Sequence, residues 1–343
     1  MRVIAETQGF SALFLDSLNE DKESLARITS SNVQKQWILD MLASMVQMEQ
    51  QYVRYEKTVK KLSEFASKNG IKLLFLKGYG LSLNFPIPSH RPCGDIDILV
   101  LPESQNSSFN DYQKLDSIIF GKLGITVDKS SAHHSRFYID GILVENHNTI
   151  LDPDRHKENV ELNRILAEEA SLGVQEVNGV LLPSFRFNSL HLLAHMAGDF
   201  ASTGTNLRRL LDWATFVDRA HQINELDWDF VFSTAEHSGM SHFLNAINDI
   251  CVRYLGYSSE LFPRRFQNGS EASFHRLSDR VFRDLVKGPD PSLSPNQTSL
   301  FLYGLIKSKR FFKNRWKHRL VYRQPIIQSF FSLAMRNLIN RKV

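Results

Sequence analysis

Asp95-Ile96-Asp97, inside Arg91-Pro92-Cys93-Gly94-Asp95-Ile96-Asp97-Ile98-Leu99-Val100, carries the clearest chemistry in the chain. On an extended strand, residues two apart share a face. Asp95 and Asp97 are therefore expected to project together, with Ile96 and Ile98 turned into a core. Two carboxylates held side by side repel each other unless a cation lies between them. Mg2+ (or Mn2+) favours such oxygen ligands and travels with nucleotide phosphates. Upstream, Leu76-Lys77-Gly78-Tyr79-Gly80 reads as a strand running into a glycine turn. A phosphate-binding turn followed by a metal-binding strand points to phosphoryl or nucleotidyl transfer.

Such a reaction must neutralise charge on the attacking and leaving oxygens, which carboxylate-held divalent ions can do. A third carboxylate is expected on a neighbouring strand. His134–Ile139 and Ile142–Asn148 alternate around Asp140-Gly141, a strong hairpin signal. In the second of these strands Leu143, Glu145 and His147 share one face, and Val144 and Asn146 the other. Glu145 is the best candidate, because a carboxylate between apolar neighbours needs a reason to be there. It would bind one ion and draw the proton from an acceptor hydroxyl. His147 can orient that carboxylate or contact the nucleotide; a merely satisfied polar neighbour is the equal alternative.

These residues need a scaffold. Residues 8–29 read as short helices, and Ser30-Ser31-Asn32 could cap a long helix ending at Asn69-Gly70. Trp37, Leu39, Met41, Leu42, Met45, Val46 and Met48 are expected on its apolar side. Ile71–Leu76 is a buried strand, Phe109–Leu123 a helix and Ile125–Val127 a short strand. From about residue 154 the pattern is mainly helical, with one further small hairpin at Val174–Leu182. The expected class is α+β. Residues 1–69 are N-terminal helices packing on a catalytic core of 70–153, and 154–343 form a helical C-terminal domain. The acceptor is expected between the sheet and the helices around His191–Asp212.

The chain has 343 residues, 42% hydrophobic and 23% charged, ordinary for a globular protein. No apolar run reaches the roughly 18 residues of a membrane span. Glu6 interrupts any secretory apolar region, and Cys93 and Cys251 make no disulfide framework, so a reducing cytoplasm is expected. The net charge of +4 is uneven: residues 307–343 hold 11 Lys/Arg and no acid. This tail mixes bases with Phe311, Phe312 and Trp316. It could hold RNA, lie on a membrane surface, or be a helix with its aromatics in the core. His191, His195 and Asp199 share a helix face. There a packed face is favoured over a dedicated metal site.

The order of these motifs resembles the nucleotidyltransferase superfamily typified by DNA polymerase beta. Leu76-Lys77-Gly78, Arg91-Pro92 and Gly94-Asp95-Ile96-Asp97-Ile98-Leu99-Val100 are more closely similar to a bacterial family of uncharacterised nucleotidyltransferases. His191-Leu192-Leu193-Ala194-His195 and Leu207-Arg208-Arg209-Leu210-Leu211-Asp212 match its helical region. The resemblance implies a minimal polymerase-beta-like sheet with flanking helices. It makes Asp95, Asp97 and Glu145 the metal ligands, lets the Gly78 backbone approach the nucleotide phosphates, and makes Lys77 and Arg91 phosphate-side cations. Tyr79 departs from the small residue usual in the wider superfamily, and Glu145 from the usual Asp. The expected activity is transfer of a nucleoside monophosphate from an NTP, ATP first, to a hydroxyl on a small molecule, protein or RNA end. The alternative is a non-catalytic nucleotide- or RNA-binding protein of the same fold.

Overall fold

The computed structural model describes residues 2–21, 23, 32–102, 112–153, 156–202, 204–265, 270–289 and 300–323. It divides into two compact units, Met1–Asn148 with Ala170–Ser184, and Thr149–Glu169 with Phe185–Val343. The expected α+β class is borne out by a mixed six-stranded sheet with flanking helices and a helical C-terminal region.

In the first unit, helices α1 (Arg2–Gln8), α2 (Ser11–Glu20) and α3 (Asn32–Lys68) precede strand β1 (Leu73–Leu76). The short helix α4 (Gly78–Ser82) and a 3-10 turn at Pro88–His90 lead to β2 (Ile96–Val100). Helix α5 (Tyr112–Leu123), strands β3 (His134–Ile139) and β4 (Ile142–His147), then β5 (Val174–Val177) and β6 (Val180–Pro183) complete it. The sheet order is β3-β4-β2-β1-β6-β5. β2 runs antiparallel to β1 and parallel to β4. Tyr52, Tyr55, Val59 and Leu62 of α3 and Leu115 and Ile119 of α5 form one core with Phe75, Ile98, Val100 and Val144 of the sheet.

Turn chemistry explains both hairpins. Asp140 and Gly141 have φ of 51° and 80°, and Asn178 and Gly179 have 54° and 77°. Positive φ at both central residues suits the right-handed twist of the strands that follow. The second hairpin corrects the expected division of the chain. Val174–Leu182 belongs to the sheet, through the parallel pair Leu74↔Leu181. Local periodicity marks a strand but does not name its partner, and β1 would otherwise present an open edge. Ile125–Val127 forms no strand; Asp128 makes an isolated bridge to Arg136.

On α3, Met41 is buried and Ile38 and Met45 pack beside it, but Leu39, Leu42 and Val46 are exposed. The apolar residues expected along that helix occupy two stripes, and one of them faces inward. The proposed Ser30-Ser31 cap, the start of the helix at Phe109, and the periodic stretch 325–340 lie outside the described residues.

The second unit contains most of α6 (Glu158–Leu172), then α7 (Phe185–Ser202), α8 (Leu207–Gln222), α9 (Trp228–Ser238), α10 (Ser241–Leu255), α11 (Glu271–Lys287) and α12 (Leu300–Val321). Phe187, Phe200, Trp213, Phe216 and Phe243 are fully buried there. His191 is buried against Phe187, ring centroids 5.3 Å apart, and His195 pairs with Asp199 at 3.2 Å. On that face His191 is buried, and His195 and Asp199 are partly exposed. On α12, Phe311 is buried, Trp316 meets Phe200 edge-on at 5.5 Å, and Phe312 is 51% exposed, so the aromatics do not all face the core.

Candidate active site

The site is assembled by strand register. Asp97 pairs with Leu76 of β1 on one side and with Glu145 of β4 on the other. The alternation of β2 turns Ile96 and Ile98 into the core and leaves Asp97 on the opposite face. On β4, Val144 and Asn146 are buried while Leu143, Glu145 and His147 are partly exposed, as the alternation predicts. A ligand atom from each of Asp97, Glu145 and His147 lies within 4.8 Å of the others. His147 Nε2 is 2.8 Å from Asp97 Oδ1 and 4.0 Å from Glu145 Oε2. Lys77 Nζ is 3.7 Å from Asp97 Oδ2, and both side chains are largely buried.

Asp95 is not part of that group. It precedes β2 and is exposed. Its backbone carbonyl accepts a hydrogen bond from the Tyr55 hydroxyl at 3.1 Å. Burial pushes the Tyr55 hydroxyl well above its ordinary pKa, which keeps it a donor.

The turn after β1 is strained where a chemical role was expected. Lys77 has φ 47° and ψ −131°, an unfavourable backbone for a residue with a side chain. Gly78 follows at φ 30°, and a Cβ there would sit 2.1 Å from Tyr55 Oη. The absence of a Cβ is thus required by Tyr55 packing. Arg91 is buried, and its Nη1 donates to the Gly78 carbonyl at 3.2 Å. Arg91 therefore ties the Pro-rich loop to the glycine turn. Tyr79, the departure from a small residue, is 1% exposed and bonds Glu56 on α3 at 3.2 Å. Its bulk is absorbed by the core.

Two neighbours were missed. Arg136 Nε donates to Glu145 Oε1 at 2.9 Å, and His134 Nε2 lies 3.6 Å from the same oxygen. Burial holds the His134 pKa below its ordinary value, against the pull of the Glu145 charge. The signal was available: a two-residue turn at Asp140-Gly141 fixes the pairs Arg136↔Glu145 and His134↔His147. Beneath them, Asn146 Nδ2 and Ser135 Oγ both donate to buried Asp116 Oδ1, at 2.9 and 2.7 Å. This bond set pins β3 and β4 to α5.

Two carboxylates and an imidazole converging from adjacent strands form a donor set that fits a divalent cation. A family model described as uncharacterised nucleotidyltransferase matches residues 4–256. The chain belongs to the uncharacterised nucleotidyltransferase family. Membership supports nucleotidyl transfer as the general function and makes a nucleotide the substrate class. The matched span covers both the site and the helices through Gly256. No curated protein and no solved structure matches the chain. Among the described residues, no helix is long and apolar enough to cross a membrane.

Proposed function

We propose that this nucleotidyltransferase moves a nucleoside monophosphate from an NTP, ATP as first candidate, to a hydroxyl acceptor and releases pyrophosphate. The acceptor oxygen bonds to the α-phosphorus as the bond to the β-phosphate oxygen breaks, and the hydroxyl proton leaves to a carboxylate. The observation that carries this reading is the register pair Asp97↔Glu145, with His147 completing the ligand group. Asp97, Glu145 and His147 would hold Mg2+ or Mn2+, with Asp95 as a further carboxylate at the strand entry. When bound, such an ion neutralises charge on the phosphate oxygens.

The chain's own residues do the rest. Glu145 receives the acceptor proton, and Arg136 sets its orientation through the 2.9 Å bond. Lys77 lies beside Asp97 and offers a cation to the phosphates. Gly78 shapes the turn, and Arg91 holds that shape by gripping its carbonyl. Asp97 and Glu145 are only slightly exposed, which strengthens their pull on a cation.

The test is calorimetry with ATP and Mg2+ or Mn2+, followed by pyrophosphate release over acceptors that include sugars, a protein hydroxyl and RNA ends. Metal-dependent release that disappears in Asp97→Asn supports the proposal. A second reading is nucleotide binding without turnover, and the place of Asp95 outside the ligand group favours it. Binding with no release over the whole panel would select that reading.

A further inference from the structure

The second unit carries a surface whose charge no part of the proposed reaction uses. Helix α11 places Arg276, Arg280, Arg283 and Lys287 at spacings of four, three and four residues, and all four are exposed. Such spacing keeps side chains within one narrow stripe, here about 16 Å long at 1.5 Å per residue. Among the described residues, the acids of the same helix form no salt bridge with its three arginines. Asp279 is bonded by Arg253 at 2.9 Å and Tyr254 at 2.8 Å, and Asp284 by Lys317 at 2.5 Å. Glu271 faces Arg264 at 3.3 Å and His275 at 3.6 Å. Arg276 donates to the Ser273 hydroxyl at 2.8 Å and Arg283 to the Asp279 carbonyl at 3.2 Å. Those acceptors are neutral, so the positive charges remain.

An aromatic edge borders the stripe. The Arg280 guanidinium lies over the Trp316 ring of α12, 3.9 Å from its centroid. Phe312, one turn earlier on the same side of α12, is 51% exposed, and Arg319, one turn later, is exposed as well.

We infer that this surface binds the phosphate backbone of a single-stranded polynucleotide. Guanidinium forks match phosphate oxygens and keep their charge at any pH the protein meets. A row of them follows a phosphate chain, and an exposed ring beside the row stacks a base. A lipid surface would need an apolar face along the helix. The exposed face here is a line of cations, with one half-exposed phenylalanine next to it. The inference is independent of nucleotidyl transfer, because binding here does not require the carboxylate site.

The experiment is fluorescence anisotropy of the full chain with labelled oligouridine and oligothymidine of about 20 nucleotides, titrated from about 50 to 200 mM salt. Wild type is expected to bind with a log–log salt dependence. The triple variant Arg276→Gln, Arg280→Gln, Arg283→Gln should bind at least about tenfold more weakly, with a slope lower by about 2, at roughly 0.7 per lost phosphate contact. The matching triple lysine variant should keep most of the binding and the slope, which separates lost charge from lost folding. Phe312→Ala should weaken binding with no change in slope. RNA bound more tightly than DNA, or the reverse, assigns the source of the phosphates. The inference is overturned if wild type binds neither oligonucleotide at low salt, or if the glutamine variant retains affinity and slope. It is also overturned if only anionic phosphatidylglycerol vesicles, and neither oligonucleotide, respond to the variant.

Discussion

His147 Nε2 hydrogen-bonds Asp97 Oδ1 at 2.8 Å, joining β4 to β2 across the face that carries the carboxylates. The imidazole thus either enters the ligand set of an ion at Asp97 or orients that carboxylate toward it. In both cases its removal is felt by the metal. His147→Ala should weaken Mn2+ binding by about 10- to 100-fold, read by calorimetry or by the free-ion electron paramagnetic resonance signal. Unchanged Mn2+ affinity would remove His147 from the site.

Glu145 is assigned the acceptor proton. Glu145→Gln keeps the size and can still accept from Arg136, but cannot take a proton at neutral pH. Pyrophosphate release should fall by about 10²- to 10⁴-fold with little change in melting temperature. Retention of full turnover would refute the assignment.

Gly78 answers to Tyr55. Gly78→Ala puts a methyl group 2.1 Å from the Tyr55 hydroxyl oxygen at a positive φ. The expected loss is about 1–3 kcal/mol in urea denaturation. Tyr55→Phe removes the clashing oxygen, so the alanine should cost less in that background. Strict additivity in the double-mutant cycle would show that the two do not interact.

Arg91 is buried with its Nη1 on the Gly78 carbonyl. Arg91→Met leaves that carbonyl without this donor and should cost about 1–3 kcal/mol of stability. A displaced turn should also raise the KM for NTP. A stability loss with an unaltered KM would make Arg91 a purely structural residue.

His90 sits between Asp16 of α2, at 2.7 Å, and Glu49 of α3, at 2.9 Å. Burial lowers its pKa, but the two carboxylate hydrogen bonds outweigh burial, and the net shift is upward from 6.5. A raised folded-state pKa means the imidazolium stabilises fully below the unfolded value and is lost as pH climbs through the folded one. Docking of α2 should therefore weaken as pH rises above about 6.5. Wild type and His90→Gln, compared by melting temperature at pH 5.5 to 9 (about half-unit steps), should converge at the alkaline end. A gap that is constant across pH would exclude the imidazolium.

How much of this was legible depends on whether the signal is local. The Asp97 strand and the Asp140-Gly141 hairpin were readable because alternation and a two-residue turn are properties of neighbouring residues. Glu145 was readable because a carboxylate in an apolar strand is anomalous. Tyr55, 23 residues before Gly78, gave no such sign, since it looks like any core aromatic of a long helix. The residue type of Arg91 suits a phosphate cation; its burial against a carbonyl is a tertiary fact. The family motif made Asp95 and Asp97 equal, whereas the strand begins at Ile96 and separates them.

The pairing of β6 with β1 has a consequence for making the protein. A ribosome releases β1 to β4 well before residue 180 emerges, and throughout that interval one margin of β1 stays bare and adhesive. A version shortened to end at residue 153 would retain Asp97 and Glu145 yet leave the margin raw, and it is expected to clump. A version that splices residue 148 to residue 170 through a short link, and stops at 184, keeps β6 in place and is the smaller piece expected to remain dispersed.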